Sequence, residues 1–481
     1  MVIARRRRRS ALLWAVSIAA ALSVPVVSTP AATAANNSPR NLWVDQARPS
    51  CSDSLTREQV TEAKPWCSLQ AAAAAARAGD TVQILPGRYL GTVRATASGS
   101  ASAPIRFIAA EGGVTLDAAG ATVGLEIVGV NWVSFEGLTI TGAAAQGIYV
   151  DRSSNLTLTG LKVEDNGSYG VQTNGRSVTV SYSTISHNRM AGISELPNSF
   201  GNLYEHNTIT GNGKDGRPYN GDGLQLNGSG STVRDNTITS NGDRGIYEHG
   251  IYAGRQSSDY VIESNTLADN AASDIKAAGS SGIVRYNRLG NSRLGLVFSD
   301  NAQPVSAYYN MIAGEFQHAV FFTTGTTASR SRLWNNTIVQ TGRLTDAGDA
   351  SAVFVNSTAL ADIRNNVICY TNPDNLGGAL FLNDSVQTRL ASNSNWFCSS
   401  DRRGRTLSVN GRRTTLGAWR ATTGNDITSL STKSATFDTR FHVTSTNLGK
   451  RRGQPLQLKR DYAGSEVPFQ NPDIGAYQSR F

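Results

Sequence analysis

Three short stretches carry the residues best suited to chemistry: Asp222-Gly-Leu-Gln225-Leu, His249-Gly-Ile-Tyr252-Ala and Ser273-Asp-Ile-Lys276-Ala. Each begins small or polar and then runs apolar, polar, apolar, the alternation of a half-buried strand. Stacked in register, these strands put Gln225, Tyr252 and Lys276 in one outward column, with Asp222 and His249 side by side where the strands begin. A carboxylate, an imidazole, a phenol and an ammonium then share one exposed sheet, a set able to move protons near neutral pH. Two polar insertions precede the first two strands: 211–221, with Lys214, Asp215 and Arg217, and 241–248, with Asp243, Arg244, Tyr247 and Glu248. Such walls beside a sheet make an elongated groove, which suits a polymer better than a small molecule. Each residue also has a plain structural use: Lys276 solvated, Tyr252 stacked, His249 bonded to backbone, Asp222 placed in a turn before Gly223. Their convergence on successive strands favours a functional site.

The elements that hold these residues belong to an internal repeat. Asparagine followed by a short apolar motif recurs at Asn207-Thr-Ile209, Asn236-Thr-Ile238, Asn265-Thr-Leu267, Asn287-Arg-Leu289, Asn310-Met-Ile312, Asn336-Thr-Ile338 and Asn366-Val-Ile368. Weaker copies precede it at Gly137-Leu-Thr-Ile140, Gly160-Leu-Lys-Val163 and Ser183-Thr-Ile185. Units this short, with several strands each, cannot bury a face alone and must stack into a solenoid. An asparagine at one point of every turn can bond its neighbours above and below, forming a ladder inside the coil. The expected fold is therefore all-β, a right-handed parallel β-helix, with the handedness following the general rule for parallel crossovers.

Exposed ends of such a coil need caps. The Ala-rich run from Ser68 to Ala78, with a Ser cap and a stop at Gly79, predicts a helix over the first coil. Residues 401–470, irregular and richer in basic residues, are expected to cover the other end. Residues 1–35 read as a signal peptide, with basic Arg5 to Arg9, an apolar core from Ala11 to Val27 and small residues Ala32 to Ala35. Residues 36–481 read as one domain, exported and without a membrane span once the signal is removed.

The formal net charge of +9 includes that basic start; without Arg5 to Arg9 it falls to +4, from 40 basic and 36 acidic residues. A nucleic-acid partner gains little support from this balance. Four cysteines in an exported chain predict disulfides, and of the three connectivities the local pairs Cys51 with Cys67 and Cys369 with Cys398 are favoured.

Asn41-Leu-Trp-Val-Asp45, Ser68-Leu-Gln-Ala-Ala and Gly79-Asp-Thr-Val-Gln-Ile-Leu-Pro-Gly-Arg-Tyr89 resemble the opening of secreted pectate-lyase-like β-helix proteins. Asp473-Ile-Gly-Ala-Tyr477 is similar to that family's ending, and Trp419, Thr423-Gly-Asn-Asp426 and Phe437 to its irregular terminal segment. Locally, Tyr219-Asn-Gly-Asp222-Gly-Leu-Gln225-Leu and Ala272-Ser-Asp-Ile-Lys276-Ala-Ala-Gly279 resemble motifs of family 9 pectate lyases. There an Asp-Asp-Gly-Phe-Asp motif binds calcium and a strand lysine is the base. The resemblance puts Lys276 at the base and Asp222 at a calcium ligand, but Gly221 and Gln225 stand where the other two aspartates would be.

The expectation is a secreted monomeric enzyme cleaving an acidic polysaccharide by β-elimination. Lys276 takes the proton, Arg255 or calcium neutralises the sugar carboxylate, and Tyr252 or His249 protonates the leaving oxygen. Gln225, Asp243, Arg244, Glu248 and Asp274 are expected to contact substrate, and calcium at Asp222 is the only cofactor implied. The alternative is a glycoside hydrolase using two carboxylates among Asp222, Asp243, Glu248, Asp274 and Glu195. A C5-epimerase and a non-catalytic polysaccharide-binding protein complete the set. Fold alone does not choose among them.

Overall fold

The structure, a computed structural model, describes residues 38–214, 221–243, 247–299, 303–323, 330–342, 350–371, 378–383, 389–401, 403–439, 443–444 and 448–479. The expected signal peptide lies outside these residues. Short strands repeat along the chain and pair in parallel with their counterparts one turn on, giving one sheet of 14 strands and one of 26. The larger sheet comprises two strips, joined where Gln146–Thr159 and Val171–Ser181 run through the bend between them. The result is a right-handed parallel β-solenoid.

The strands form here because their alternation matches the pleat. In Thr232–Arg234, Val261–Glu263 and Ile283–Arg285 only the central apolar residue is buried. Those side chains stack in register through the coil, as in the file Ile209, Ile238, Leu267 and Leu289. Each such side chain contributes roughly 1.5–3 kcal/mol by leaving water. The bends fall on single residues in the left-handed region, among them His206, Asp235 and Ser264 with φ of 54°, 55° and 58°. Polar side chains tolerate this conformation better than β-branched ones.

The asparagine ladder is present. The side-chain amides of Asn207, Asn236, Asn265, Asn287, Asn310 and Asn336 each donate to the carbonyl oxygen of the next, at 2.9–3.1 Å. Each also accepts a backbone N–H of the preceding turn, as Asn265 does from Asn236 at 3.0 Å. A second ladder, Asn166, Asn188, Asn212, Asn241 and Asn270, lines the coil at another bend with spacings of 2.9–3.1 Å. Sequence reasoning missed it, although Asn212, Asn241 and Asn270 each follow a first-ladder residue by five positions.

The helix over the first coil spans Leu69–Ala75, and the Ser68 hydroxyl accepts the Ala71 N–H at its N-terminus. It stops short of the expected Ala78, with Ala76 turning out of the helix at ψ 147°. Within the expected cap, 401–470, two regular elements form. An antiparallel hairpin, Leu407–Val409 with Arg412–Thr414, precedes a second helix, Leu416–Thr423, which sequence reasoning did not foresee. That helix drives Trp419, 0% exposed, into the core. The following segment, 448–479, lies along the side of the coil: Asn365 pairs with Gln454, Asn335 donates to the Asp473 carbonyl, and Tyr286 donates to the Arg460 carbonyl. Both favoured disulfides form, and Cys369–Cys398 joins registered positions of neighbouring turns.

Candidate functional site

Gln225, Tyr252 and Lys276 are in direct register on successive strands, Leu224–Leu226, His249–Ala253 and Ser273–Ala277. Ser194 precedes them in the column and Val297 follows. Tyr252 and Lys276 are half-buried, and the Lys276 ammonium lies 5.5 Å from the centre of the Tyr252 ring. Arg255 is exposed in the turn that follows the Tyr252 strand. These three side chains carry the solvent-facing chemistry of the strip.

Directly beneath them is a buried polar layer. Asp222 accepts the His249 backbone N–H at 2.5 Å and the Gln225 amide at 2.7 Å, one bond to each carboxylate oxygen. The Gln225 carbonyl in turn accepts the Ser194 hydroxyl at 3.2 Å. His249 Nδ1 bonds the Ser273 hydroxyl at 2.7 Å, and its ring tilts against Tyr252 with centres 5.7 Å apart. Burial pushes the Asp222 carboxyl up to about 7, Glu248 raising it further and Lys276 opposing. Burial, helped by the Lys276 cation, holds the His249 imidazole well below its ordinary range. The layer thus contains a neutral imidazole and a carboxyl that titrates near neutrality, two groups able to orient their neighbours without competing with Lys276 for charge.

The other expected site residues sit at different depths. His249 is 4% exposed, and its ring lies against Tyr252. Gln225 has both its amide and its carbonyl engaged by protein and is only 8% exposed. Glu248 is fully buried and accepts the Asp243 N–H at 2.8 Å, anchoring the second insertion. Asp274 points into the coil, where it ends the second ladder by accepting from Asn270 and from Ser292, at 3.1 and 2.5 Å. Glu195 is buried between Ser231 and Tyr204, and burial pushes it up to about 7. Asp243 is exposed. Arg244, Asp215 and Arg217 lie outside the described residues.

Calcium fits poorly. Both Asp222 oxygens already face hydrogen-bond donors, and calcium requires several ionised or carbonyl oxygens. Among the described residues no group of three His, Cys, Asp or Glu side chains is arranged for a metal.

The coil is a right-handed parallel β-helix. Residues 52–216 match the Pel9A-like right-handed β-helix region, and residues 222–397 match the right-handed β-helix region. The chain is thus a right-handed β-helix, Pel9A-like over the first matched region. Among solved structures it is similar to XylC in complex with xylose, at 11% identity and TM-score 0.55 over 91% of this chain and 98% of that one. A variant of the PL6 family alginate lyase AlyGC gives 14% identity and TM-score 0.56 over 91% of this chain and 58% of that one. The GH136 lacto-N-biosidase from Eubacterium ramulus gives 14% identity and TM-score 0.53 over 67% and 66%. At such identities these likenesses show the fold alone. No curated protein gives a sequence match.

Proposed function

We propose that the chain is a secreted polysaccharide lyase that cleaves a uronic-acid polymer by β-elimination. The observation that carries this reading is the solvent-facing pair Lys276 and Tyr252, 5.5 Å apart and backed by a buried layer that fixes both strands. In its neutral form the Lys276 amine takes the proton from C5 of the sugar. The electrons form the C4–C5 double bond, and the C4–O bond to the next sugar breaks. The Tyr252 hydroxyl supplies the proton for the departing oxygen. Arg255 pairs with the sugar carboxylate, which acidifies the C5 proton and stabilises the developing charge.

The hydrolase reading needs two carboxylates facing the scissile bond. Glu195, Asp222, Glu248 and Asp274 are all buried, and of the candidates only Asp243 is exposed. That distribution favours elimination. The likeness to a Pel9A-like region, an alginate lyase and a xylose-bound β-helix supports a polysaccharide substrate.

The test is product chemistry. Pectate, alginate, glycosaminoglycans and neutral glucans are incubated with the full chain, and ultraviolet absorbance of an unsaturated uronate is followed beside reducing ends. Unsaturated product from an acidic polymer, absent with Lys276→Ala, is expected. Reducing ends without ultraviolet absorbance would overturn the reading in favour of hydrolysis.

A further inference from the structure

One strip of the larger sheet, the one that does not carry Lys276, bears a groove of about 460 Å³ over its early turns. Its floor is the outer face of Ile105–Ala109, Val133–Glu136 and the closing parts of Gln146–Thr159 and Val171–Ser181. Parallel register aligns Arg106, Ser134, Thr157 and Thr179 in one outward column, with Ile108, Glu136 and Thr159 beside it. The Ser134, Thr157 and Thr179 hydroxyls have no hydrogen-bond partner among the described residues. Adjacent turns are about 4.8 Å apart, close to the length of one pyranose. A glycan lying along the coil axis would therefore meet one member of the column per sugar.

Trp132 lines the same groove, half-buried, and its indole packs on neither core cluster. It occupies a bend at which every turn puts one residue in the left-handed region, here with φ of 58°. The next six turns use Asn155, Ser177, Gly201, Gly230, Asp259 and Ser281 at the equivalent position, with φ of 51–68°. Those small or polar residues tolerate the conformation, whereas a bulky side chain there is an outlier. The tyrosines at left-handed bends elsewhere are ring-paired: Tyr182 with His206 at 4.8 Å, and Tyr286 with Tyr309 at 6.2 Å. Trp132 has no ring or cation partner among the described residues. A strained position without a packing return points to a functional use. An unpaired indole beside a row of hydroxyls offers an apolar platform with polar groups at hand.

Arg106 and Glu136 are the charged side chains lining the groove; both are exposed, and neither is ion-paired among the described residues. One charge of each sign leaves no net charge to attract a polyanion. We propose that this groove binds an uncharged polysaccharide without cleaving it. Trp132 stacks on the C–H face of a sugar ring. Arg106 donates to sugar hydroxyls, Glu136 accepts from them, and Thr157 and Thr179 serve in either sense. Glu136 is the one carboxylate lining the groove, and glycoside hydrolysis calls for a pair. The Gln225, Tyr252 and Lys276 column lies on the other strip and in later turns. Holding a neutral polymer here would keep the column close to an acidic polymer in the same matrix. Binding in the groove is independent of the lyase chemistry proposed above.

Titration calorimetry on the full chain tests this, with hexamers of xylose, mannose and glucose as neutral probes and a galacturonate hexamer as the acidic one. A neutral hexamer is expected to bind. Trp132→Asn gives the bend the residue type that the next turn uses, so the melting temperature should hold or rise while binding falls about tenfold or more. That combination separates a ligand role from a structural one. Arg106→Ala and Glu136→Ala should each weaken binding about tenfold, the scale of one lost hydrogen bond to a charged group. Lys276→Ala should leave neutral-hexamer binding unchanged. Failure of every neutral hexamer to bind, or binding that Trp132→Asn does not weaken, overturns the site. Neutral-hexamer binding lost on Lys276→Ala places the ligand at the column and overturns it equally. Tighter binding of the galacturonate hexamer that is lost on Trp132→Asn overturns the uncharged class.

Discussion

Asp274→Asn probes how the buried layer of the coil responds to pH. The Asp274 carboxyl is 0% exposed; one oxygen accepts from Asn270 and Ser292, and the other has no partner among the described residues. Burial raises its pKa from 3.8 to about 7. Because the folded state binds the proton more tightly than the unfolded chain, this residue's contribution is most favourable below about pH 4. It declines as pH rises towards 7 and is level above. Between pH 5 and pH 8 the loss is on the order of 3 kcal/mol, from about 1.4 kcal/mol per pKa unit. Asparagine keeps the acceptor oxygen and cannot ionise, but it leaves an amide N–H₂ buried at a pH-independent cost of about 1–3 kcal/mol. The expected result is therefore a flatter pH dependence rather than a uniformly more stable protein. Urea unfolding of both forms at pH 5 and pH 8 measures it. If the variant loses as much stability over that interval as the parent, Asp274 does not titrate there and the reasoning fails.

Other outcomes follow from the same geometry. Lys276→Ala should lower the rate of unsaturated-product formation by about 10²–10⁴-fold, the usual worth of a positioned base, with circular dichroism and melting unchanged. Asn265→Ala strips partners from the Asn236 side-chain and backbone N–H groups, and should cost about 2–5 kcal/mol in chemical denaturation as buried groups go unpaired. Cys369 and Cys398 close a loop with a sequence separation of 29. Replacing both with serine should cost about 3–4 kcal/mol on the chain-entropy estimate, read as a lower unfolding midpoint under non-reducing conditions.

The coil was legible because its signals repeat: asparagine before an apolar motif, strand alternation and the Gly-Asp-Thr-Val opening all specify one architecture. The column of Gln225, Tyr252 and Lys276 followed from register alone, since equal motifs on successive strands must align. Depth was harder to see. Asp274 lies two residues before Lys276, where strict alternation would put both side chains outside. The strand instead begins at the bend holding the second ladder, and Asp274 turns inward to end it. Glu248 likewise reads as a loop acid, yet it is buried against the loop backbone it anchors. The helix Leu416–Thr423 escaped notice because a short segment gives little periodicity, although Thr415 and Gly424 are ordinary caps for it.

Segment 448–479 changes how the coil should come apart. In a simple solenoid each turn touches only its neighbours, so stability is close to a sum of local terms and fraying can proceed one turn at a time. Here one continuous segment is bonded to Tyr286, Asn335, Thr337 and Asn365, which belong to several successive turns. Bonds spanning 138 to 174 residues make the middle of the coil a cooperative block. A chain lacking residues 448–479 would keep its turns and lose its all-or-none melting.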